Sequence, residues 1–267
     1  APEHRDDIHH ALGHLAGRKA RSVTNFLLYA QHPEVRQAFA FYALGQGQGG
    51  PLFDGTAEEA EESHFEAYDI THIIKAGDAI LLPAVLTLFR RFERAMDGRP
   101  MVVPMDEAWI PLGHPVLKPR LRQWLKTVRS FDVGIWLLTQ QLSDVVKSGL
   151  MDVILESVPT FLFGANPAAQ LGGEGDEVGP ADFYRQFGLG WPQRETIRTA
   201  TKMLEFLFTQ PGVSRLVAPD IGPAALAFAG ATAERDLPEI KRLHAAHGDE
   251  WPWRWLERKG VDHARLA

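Results

Sequence analysis

Cysteine is absent from all 267 residues. No disulfide framework is available, and a reducing compartment is compatible with the chain. Positive charge is in short supply: 28 Lys and Arg face 34 Asp and Glu, a formal net charge of −6. Duplex DNA rewards clustered Lys and Arg, so this balance argues against a general duplex binder while leaving a local basic patch open. Long apolar runs are missing as well. The longest, residues 79–89, contains Pro83 and is too short to span a bilayer. Nothing at the start reads as a signal peptide. The chain opens on Ala1 rather than Met, which points to a processed chain or an expressed fragment. What is present is ordinary soluble composition, 45% hydrophobic and 23% charged. That suffices for one large domain, or one domain with a smaller subdomain.

Residues 6–44 have helical texture. Ile8, Ala11, Leu12 and Leu15 recur at helical spacing, as do Phe26, Leu27 and Ala30. Thr24 reads as an N-cap, and Pro33 opens a further helix over residues 34–44. The Gly-rich stretch 45–50, followed by Pro51, ends it, and an acidic loop occupies residues 58–62. The texture then changes. Residues 65–70 read as a strand and 78–96 as a long helix. Residues 101–105 are a strand of the continuous apolar kind found inside parallel sheets. An amphipathic helix over 117–130, a strand over 133–138, a helix over 142–150 and a strand over 160–163 follow. This alternation predicts a doubly wound α/β sheet. Beyond a Gly- and acid-rich loop, 172–179, and a helix over 181–187, the runs 203–208, 214–218 and 224–229 read as an antiparallel extension. Helices over 239–247 and 251–259 close the chain.

The chemistry concentrates at Met101-Val-Val-Pro-Met-Asp106-Glu107-Ala-Trp109. A short apolar strand, with Val102, Val103 and Met105 suited to burial on both faces, ends in two adjacent carboxylates. P-loop ATPases place a Mg²⁺-holding Asp and a water-activating Glu in this way. Asp106 would hold Mg²⁺ through its coordinated waters. Glu107 would orient the attacking water or take its proton. The plain alternative is a strand whose terminal acids face solvent. The next strand ends in Thr139-Gln140-Gln141. In RecA-like ATPases a polar residue at this tip senses the γ-phosphate, and a Gln suits this role because it both donates and accepts hydrogen bonds. Between the two strands Arg122, Lys126 and Arg129 share one face of the helix, opposite Leu121, Trp124, Leu125 and Val128. A solvated face is the plain reading, above all for Arg122. Lys126 and Arg129 lie toward the helix C-terminus, where they could face a neighbouring subunit's nucleotide.

Other features are weaker. His9, His10 and His14 share an early helix without an acidic metal partner spaced with them. Gly45-x-Gly47-x-Gly49-Gly50 follows a helix rather than a strand and reads as a turn. The tryptophans 251, 253 and 255 read as packing residues, with a partner-binding patch as the minor alternative. One large part is missing. No G-x-x-x-x-G-K-[ST] occurs anywhere in the sequence, and Gly13-His-Leu-Ala-Gly17-Arg-Lys19-Ala20 has the wrong spacing and no terminal hydroxyl. Nothing therefore cradles β- and γ-phosphates. Either that loop lies upstream of Ala1 in a parent protein, or the chain is not an ATPase.

The order of motifs resembles the VirB-four/TrbE/CagE class of ATPases of type IV secretion and conjugation systems. The likeness is carried by Leu52-Phe53-Asp54-Gly55, Phe65-Glu66, Pro104-Met105-Asp106-Glu107-Ala108-Trp109, Trp124-Leu125-Lys126-Thr127-Val128-Arg129 and Thr139-Gln140-Gln141-Leu142-Ser143-Asp144. Asn166-Pro167, residues 212–215 and Leu226-Ala227-Phe228-Ala229-Gly230 extend it to nearly the whole chain. The resemblance implies a RecA-like P-loop NTPase core, a mostly parallel sheet with an antiparallel extension, plus an N-terminal helical subdomain. It implies a helical insertion over residues 1–62, a core without its P-loop over 63–232, and a helical tail over 233–267. ATP and Mg²⁺ are the implied cofactors. The family's carboxylate roles fall on Asp106 and Glu107, its γ-phosphate-sensing Gln on Gln140, and its cationic positions on Lys126, Arg129 and Arg215. Relatives of this kind energise substrate transfer or pilus assembly from the cytoplasmic face of the inner membrane, as hexamers among other secretion components. The fragment alone is then expected to be inactive. An FtsK/HerA-like DNA translocase or coupling protein, disfavoured by the charge, and a non-enzymatic docking domain are the alternatives.

Overall fold

The computed structural model describes residues 1–18, 21–55, 63–106, 113–173, 178–232 and 234–262. It divides into two units, Ala1–Ala95 and Met96–Ala267. The sequence reading ends the helical subdomain at residue 62; the first unit continues through two more helices.

In the first unit, helices α1 (Pro2–Ala16), α2 (Val23–Leu27) and α3 (Pro33–Ala40) bury Ala11, Leu15, Phe26, Leu27, Ala30 and Val35 together with Ala43. Ala11 and Leu15 are one turn apart and so share a face of α1. The N-cap of α2 is Ser22 rather than Thr24: Ser22 Oγ accepts the Asn25 N–H at 3.2 Å. Thr24 is held instead by Asp54. Its N–H donates to Asp54 Oδ1 at 2.9 Å, its hydroxyl donates to Oδ2, and the Leu44 N–H reaches the same oxygen at 2.8 Å. Asp54 is buried. Burial pushes its carboxyl up, but the donors from Leu44 and Thr24 outweigh it and hold the pKa below the usual carboxylate value. The Gly-rich stretch ends in the short helix α4 (Gly50–Phe53). A Cβ on Gly47 would lie 2.2 Å from the Phe41 carbonyl oxygen, so glycine is there for close backbone packing.

Helices α5 (Thr71–Lys75) and α6 (Asp78–Ala95) complete this unit. Residues 65–70, expected as a strand, form none. Their partner is a helix and not a strand. Arg91 on α6 grips Glu66 with Nε and Nη2 at 2.8 and 2.7 Å, and Tyr68 meets Phe92 edge to face, centroids 5.9 Å apart.

In the second unit, β1 (Met101–Met105) leads through α7 (Leu117–Thr127) and a 3₁₀ turn (Val128–Phe131) to β2 (Val133–Leu137). The two strands are parallel, with Met101 beside Val133 and Met105 beside Leu137. Helices α8 (Leu142–Lys147) and α9 (Met151–Ser157) then precede β3 (Phe161–Gly164). After α10 (Pro180–Gln186) and α11 (Trp191–Thr199), β4 (Phe206–Gln210) and β5 (Val213–Val217) pair with β3 in the antiparallel order β3-β4-β5. The architecture is the expected α/β one, but among the described residues the antiparallel strands form their own sheet of three beside the parallel pair instead of extending it. Leu121, Leu125, Val145, Leu150, Val153 and Ile154 form a core that Met105, Ile135 and Leu137 pack against. Phe163, Ala169, Tyr184, Leu189, Ile197 and Leu207 form a second. Phe161 and Phe187 pack on both, joining the two sheets' supports.

Residues 224–229, expected as a strand, belong to α12 (Gly222–Ala229). Ala-Leu-Ala-Phe-Ala imitates a period of two, but the residues are good helix formers without β-branching, and Pro223 is suited to a first turn. Helices α13 (Leu237–His247) and α14 (Trp251–Arg258) close the described chain. Trp255 is buried and donates its Nε1–H to the Ala227 carbonyl at 2.9 Å, so it docks α14 on α12.

Candidate active site

The parallel strands β1 and β2 end level, and one further bond ties them. Leu138 N–H donates to the Met105 carbonyl at 3.0 Å. Asp106 is thus the first residue past β1, and Thr139 follows Leu138 just past the adjoining end of β2. Ligands of open α/β sheets gather beyond the carboxyl ends of the strands, where the diverging backbones leave a crevice. Asp106 is exposed there. Glu107, the second acid, lies outside the described residues. β1 is buried on one face only, with Val103 at 4% exposure and Val102 at 56%. The expected two-sided burial fails at Val102, which shares the open face with Trp136 of β2, itself 62% exposed.

The β2 tip is built by its own hydroxyls. Thr139 Oγ1 donates to Asp144 Oδ2 at 3.3 Å and accepts the Gln141 N–H at 3.4 Å. Ser143 donates to Gln141 Oε1 at 3.3 Å. These bonds turn the chain from β2 into α8. Gln140 sits at the apex, exposed, and none of them uses its side chain. Thr139, Ser143 and Asp144 belong to the same motif as Gln140, yet what they do is shape the turn that presents it. The signal was available in the sequence as Thr-x-x-x-Ser-Asp, a hydroxyl before a helix with Ser and Asp in its first turn.

The cations lie elsewhere. Asp132 N–H donates to the Arg129 carbonyl at 3.3 Å, and Met101 N–H to the Asp132 carbonyl at 3.1 Å. Arg129 therefore stands at the amino ends of the strands, and Lys126 in the last turn of α7 beside it. Five residues of strand separate that edge from Asp106, about 16 Å at ~3.3 Å per residue. Within one chain the two edges are separate. Both cations are exposed. Arg122, on the same helix face, is occupied: it binds Asp152 through Nη1 and Nη2 at 3.1 and 3.2 Å and the Gly149 carbonyl at 2.9 Å. Arg122 is also what holds the Asp152 carboxyl below its usual pKa. Arg215 is in the other sheet, on β5 opposite Phe208, and exposed.

Of the remaining motif residues, Asn166 is structural. Its Nδ2 donates to the Tyr184 hydroxyl at 3.1 Å and its Oδ1 accepts the Ala168 N–H at 3.0 Å. Among the early histidines, His10 and His14 meet at 3.3 Å between Nε2 atoms, and His14 stacks on Tyr29. Among the described residues no helix is long and apolar enough to cross a membrane.

No protein-family model matches the chain. The conjugal transfer protein TrbE of Rhizobium radiobacter is 35% identical over 263 residues, covering 98% of this chain and 31% of that protein. A probable conjugal transfer protein TrbE of Sinorhizobium fredii is 35% identical over 263 residues, covering 98% of this chain and 39% of that one. The chain thus spans about a third of the length of the curated relatives it matches. Among solved structures, VirB4 of Thermoanaerobacter pseudethanolicus matches with a TM-score of 0.56 at 20% identity, over 75% of this chain and 55% of that one. That likeness is one of fold. In sequence along nearly all of its length, and in fold along three quarters of it, the chain is a homologue of the TrbE and VirB4 proteins of conjugal transfer and type IV secretion.

Proposed function

We propose that this chain is the metal- and water-handling portion of an ATPase that drives conjugal transfer or type IV secretion. The observation that carries the reading is the bond from Leu138 to Met105, which ties together the adjoining ends of β1 and β2, one residue before Asp106 and two before Gln140. The names of the relatives supply the process. An exposed carboxylate on a strand end is a hard oxygen donor, and it fits Mg²⁺, which keeps most of its waters and takes one or two carboxylates. Asp106 would hold the ion through water. When bound, Mg²⁺ neutralises charge developing on the transferred phosphoryl group. Glu107 accepts the proton of the attacking water. Gln140 senses the γ-phosphate and keeps that water in line.

Lys126 and Arg129, at the far edge of the parallel pair, serve the nucleotide of a neighbouring subunit, with Arg215 as a further cationic position. A cation supplied by a neighbour requires an adjoining subunit, consistent with a homo-hexamer working with other secretion components at the cytoplasmic face of the inner membrane. The 267 residues hold no G-x-x-x-x-G-K-[ST]. The phosphate cradle therefore comes from residues outside them, and this chain alone turns over ATP negligibly. The net charge of −6 favours this reading over a DNA translocase.

The test uses a protein that joins this chain to a P-loop segment. Asp106→Asn should weaken nucleotide binding with Mg²⁺ and leave Mg²⁺-free binding unchanged. Gln140→Ala should lower turnover by about 10²–10³ at unchanged nucleotide affinity. Equal loss of binding with and without Mg²⁺, or normal turnover after Gln140→Ala, would overturn the assignment.

A further inference from the structure

Helices α1 and α3 meet through polar groups as well as through their shared core. Asp7 on α1 accepts the N–H groups of Gln31 at 2.8 Å and His32 at 2.9 Å. These bonds fix the chain as it enters α3, where His32 is the N-cap. His4 lies three residues before Asp7 and shares its face of α1, which brings it beside His32. The two rings meet edge to face with centroids 4.3 Å apart, and His4 Nε2 is 3.1 Å from Glu34 Oε2. One ligand atom from each of His4, His32 and Glu34 lies within 4.8 Å of the other two. We propose that these three residues form a divalent transition-metal site, best suited to Zn²⁺, that clamps α1 to the start of α3.

Two imidazoles and one carboxylate are a recurrent zinc donor set that leaves a fourth position for water. Bonds of about 2.0–2.1 Å in a tetrahedron put ligand atoms about 3.3 Å apart. The His4–Glu34 pair, at 3.1 Å, already has about that spacing. Glu34 is exposed and the two histidines are half-buried, so the ion is reached from solvent. His32 Nδ1 accepts the Glu34 N–H at 3.3 Å. A metal taking that nitrogen displaces one long hydrogen bond whose exposed donor turns to water. An ion pair between protonated His4 and Glu34 is the competing account, and it needs no metal. His10 and His14 are a second, two-histidine candidate on the same helix, and the test separates the two.

The experiment is calorimetric titration of the 267-residue chain with Zn²⁺ alone, paired with thermal unfolding with and without Zn²⁺. One equivalent should bind, and the unfolding midpoint should rise. Losing even an outer-shell partner lowers metal affinity about 10–100-fold, so His4→Ala and Glu34→Gln should each weaken binding by at least that much. Glu34→Gln changes an exposed side chain and keeps the fold, so its lost thermal shift reads the site directly. The double variant His10→Ala, His14→Ala should bind as the unaltered protein does. No stoichiometric binding, or binding lost in that double variant and kept in His4→Ala, would overturn the proposal.

Discussion

Tyr42 donates its hydroxyl to the Ala79 carbonyl at 2.8 Å. Ala79 lies four residues before Pro83, which sits inside α6 and has no N–H to return to it. The phenol supplies the donor that the proline removes. Tyr42→Phe should therefore destabilise the first unit by about 0.5–1.5 kcal/mol. In a Pro83→Ala background the same change should cost almost nothing, because the restored N–H serves Ala79. Urea unfolding of the four proteins measures the coupling, and additive costs would contradict it.

Asp54 should make the first unit acid-sensitive. Its folded pKa lies below the unfolded value of about 3.9. Its stabilisation is then complete above the unfolded value and is lost as pH falls through the folded one. Asp54→Asn should flatten that region of the stability–pH curve. At neutral pH, Asp54→Ala should cost about 1.5–3 kcal/mol, since charged hydrogen bonds from Thr24 and Leu44 go with it. Unfolding followed from acid to neutral pH checks both.

Glu66 should titrate far below other glutamates. The Arg91 fork, helped by the Tyr68 hydroxyl, lowers its pKa to about 2. The carboxylate's contribution is present above about pH 4.3, the unfolded value, and fades as pH falls toward the folded one. Carboxyl-resolved NMR should find the shift and should see it largely vanish in Arg91→Met.

The cations should separate by role. Arg122→Ala should lower stability by up to about 1 kcal/mol, because a half-exposed pair to Asp152 ties α7 to α9. Lys126→Ala and Arg129→Ala should stay within about 0.5 kcal/mol. In a P-loop-bearing assembly, subunits carrying Arg129→Ala mixed with subunits carrying Glu107→Gln should recover some of the turnover that each lacks alone. No recovery would contradict a cation supplied by the neighbour.

The two strands that frame the site were legible because each is a short apolar run closed by polar residues, Asp106 after one and Thr139-Gln140 after the other. Local pattern failed where the partner was not local. Residues 65–70 read as a strand, but Glu66 and Tyr68 meet α6, and only the folded chain shows Arg91 and Phe92 as their partners. Residues 224–229 alternate by accident of size, Ala against Leu and Phe, while propensity favours a helix. The distance between Arg129 and Asp106 is a property of the parallel register. A strand direction cannot be read from the strand itself, so sharing a helix face with a cation says nothing about which end of the sheet it reaches. Asp54 and Asn166 stood out as motif residues, and the folded chain gives them a structural role, since the hydrogen bonds they make hold loops and helix ends in place.

The most direct test of the account is turnover by Glu107→Gln in a protein joining this chain to a P-loop. Nucleotide binding with Mg²⁺ should be preserved and hydrolysis abolished, because the amide can no longer accept the proton of the attacking water. Hydrolysis at the unaltered rate would contradict the site at these strand ends.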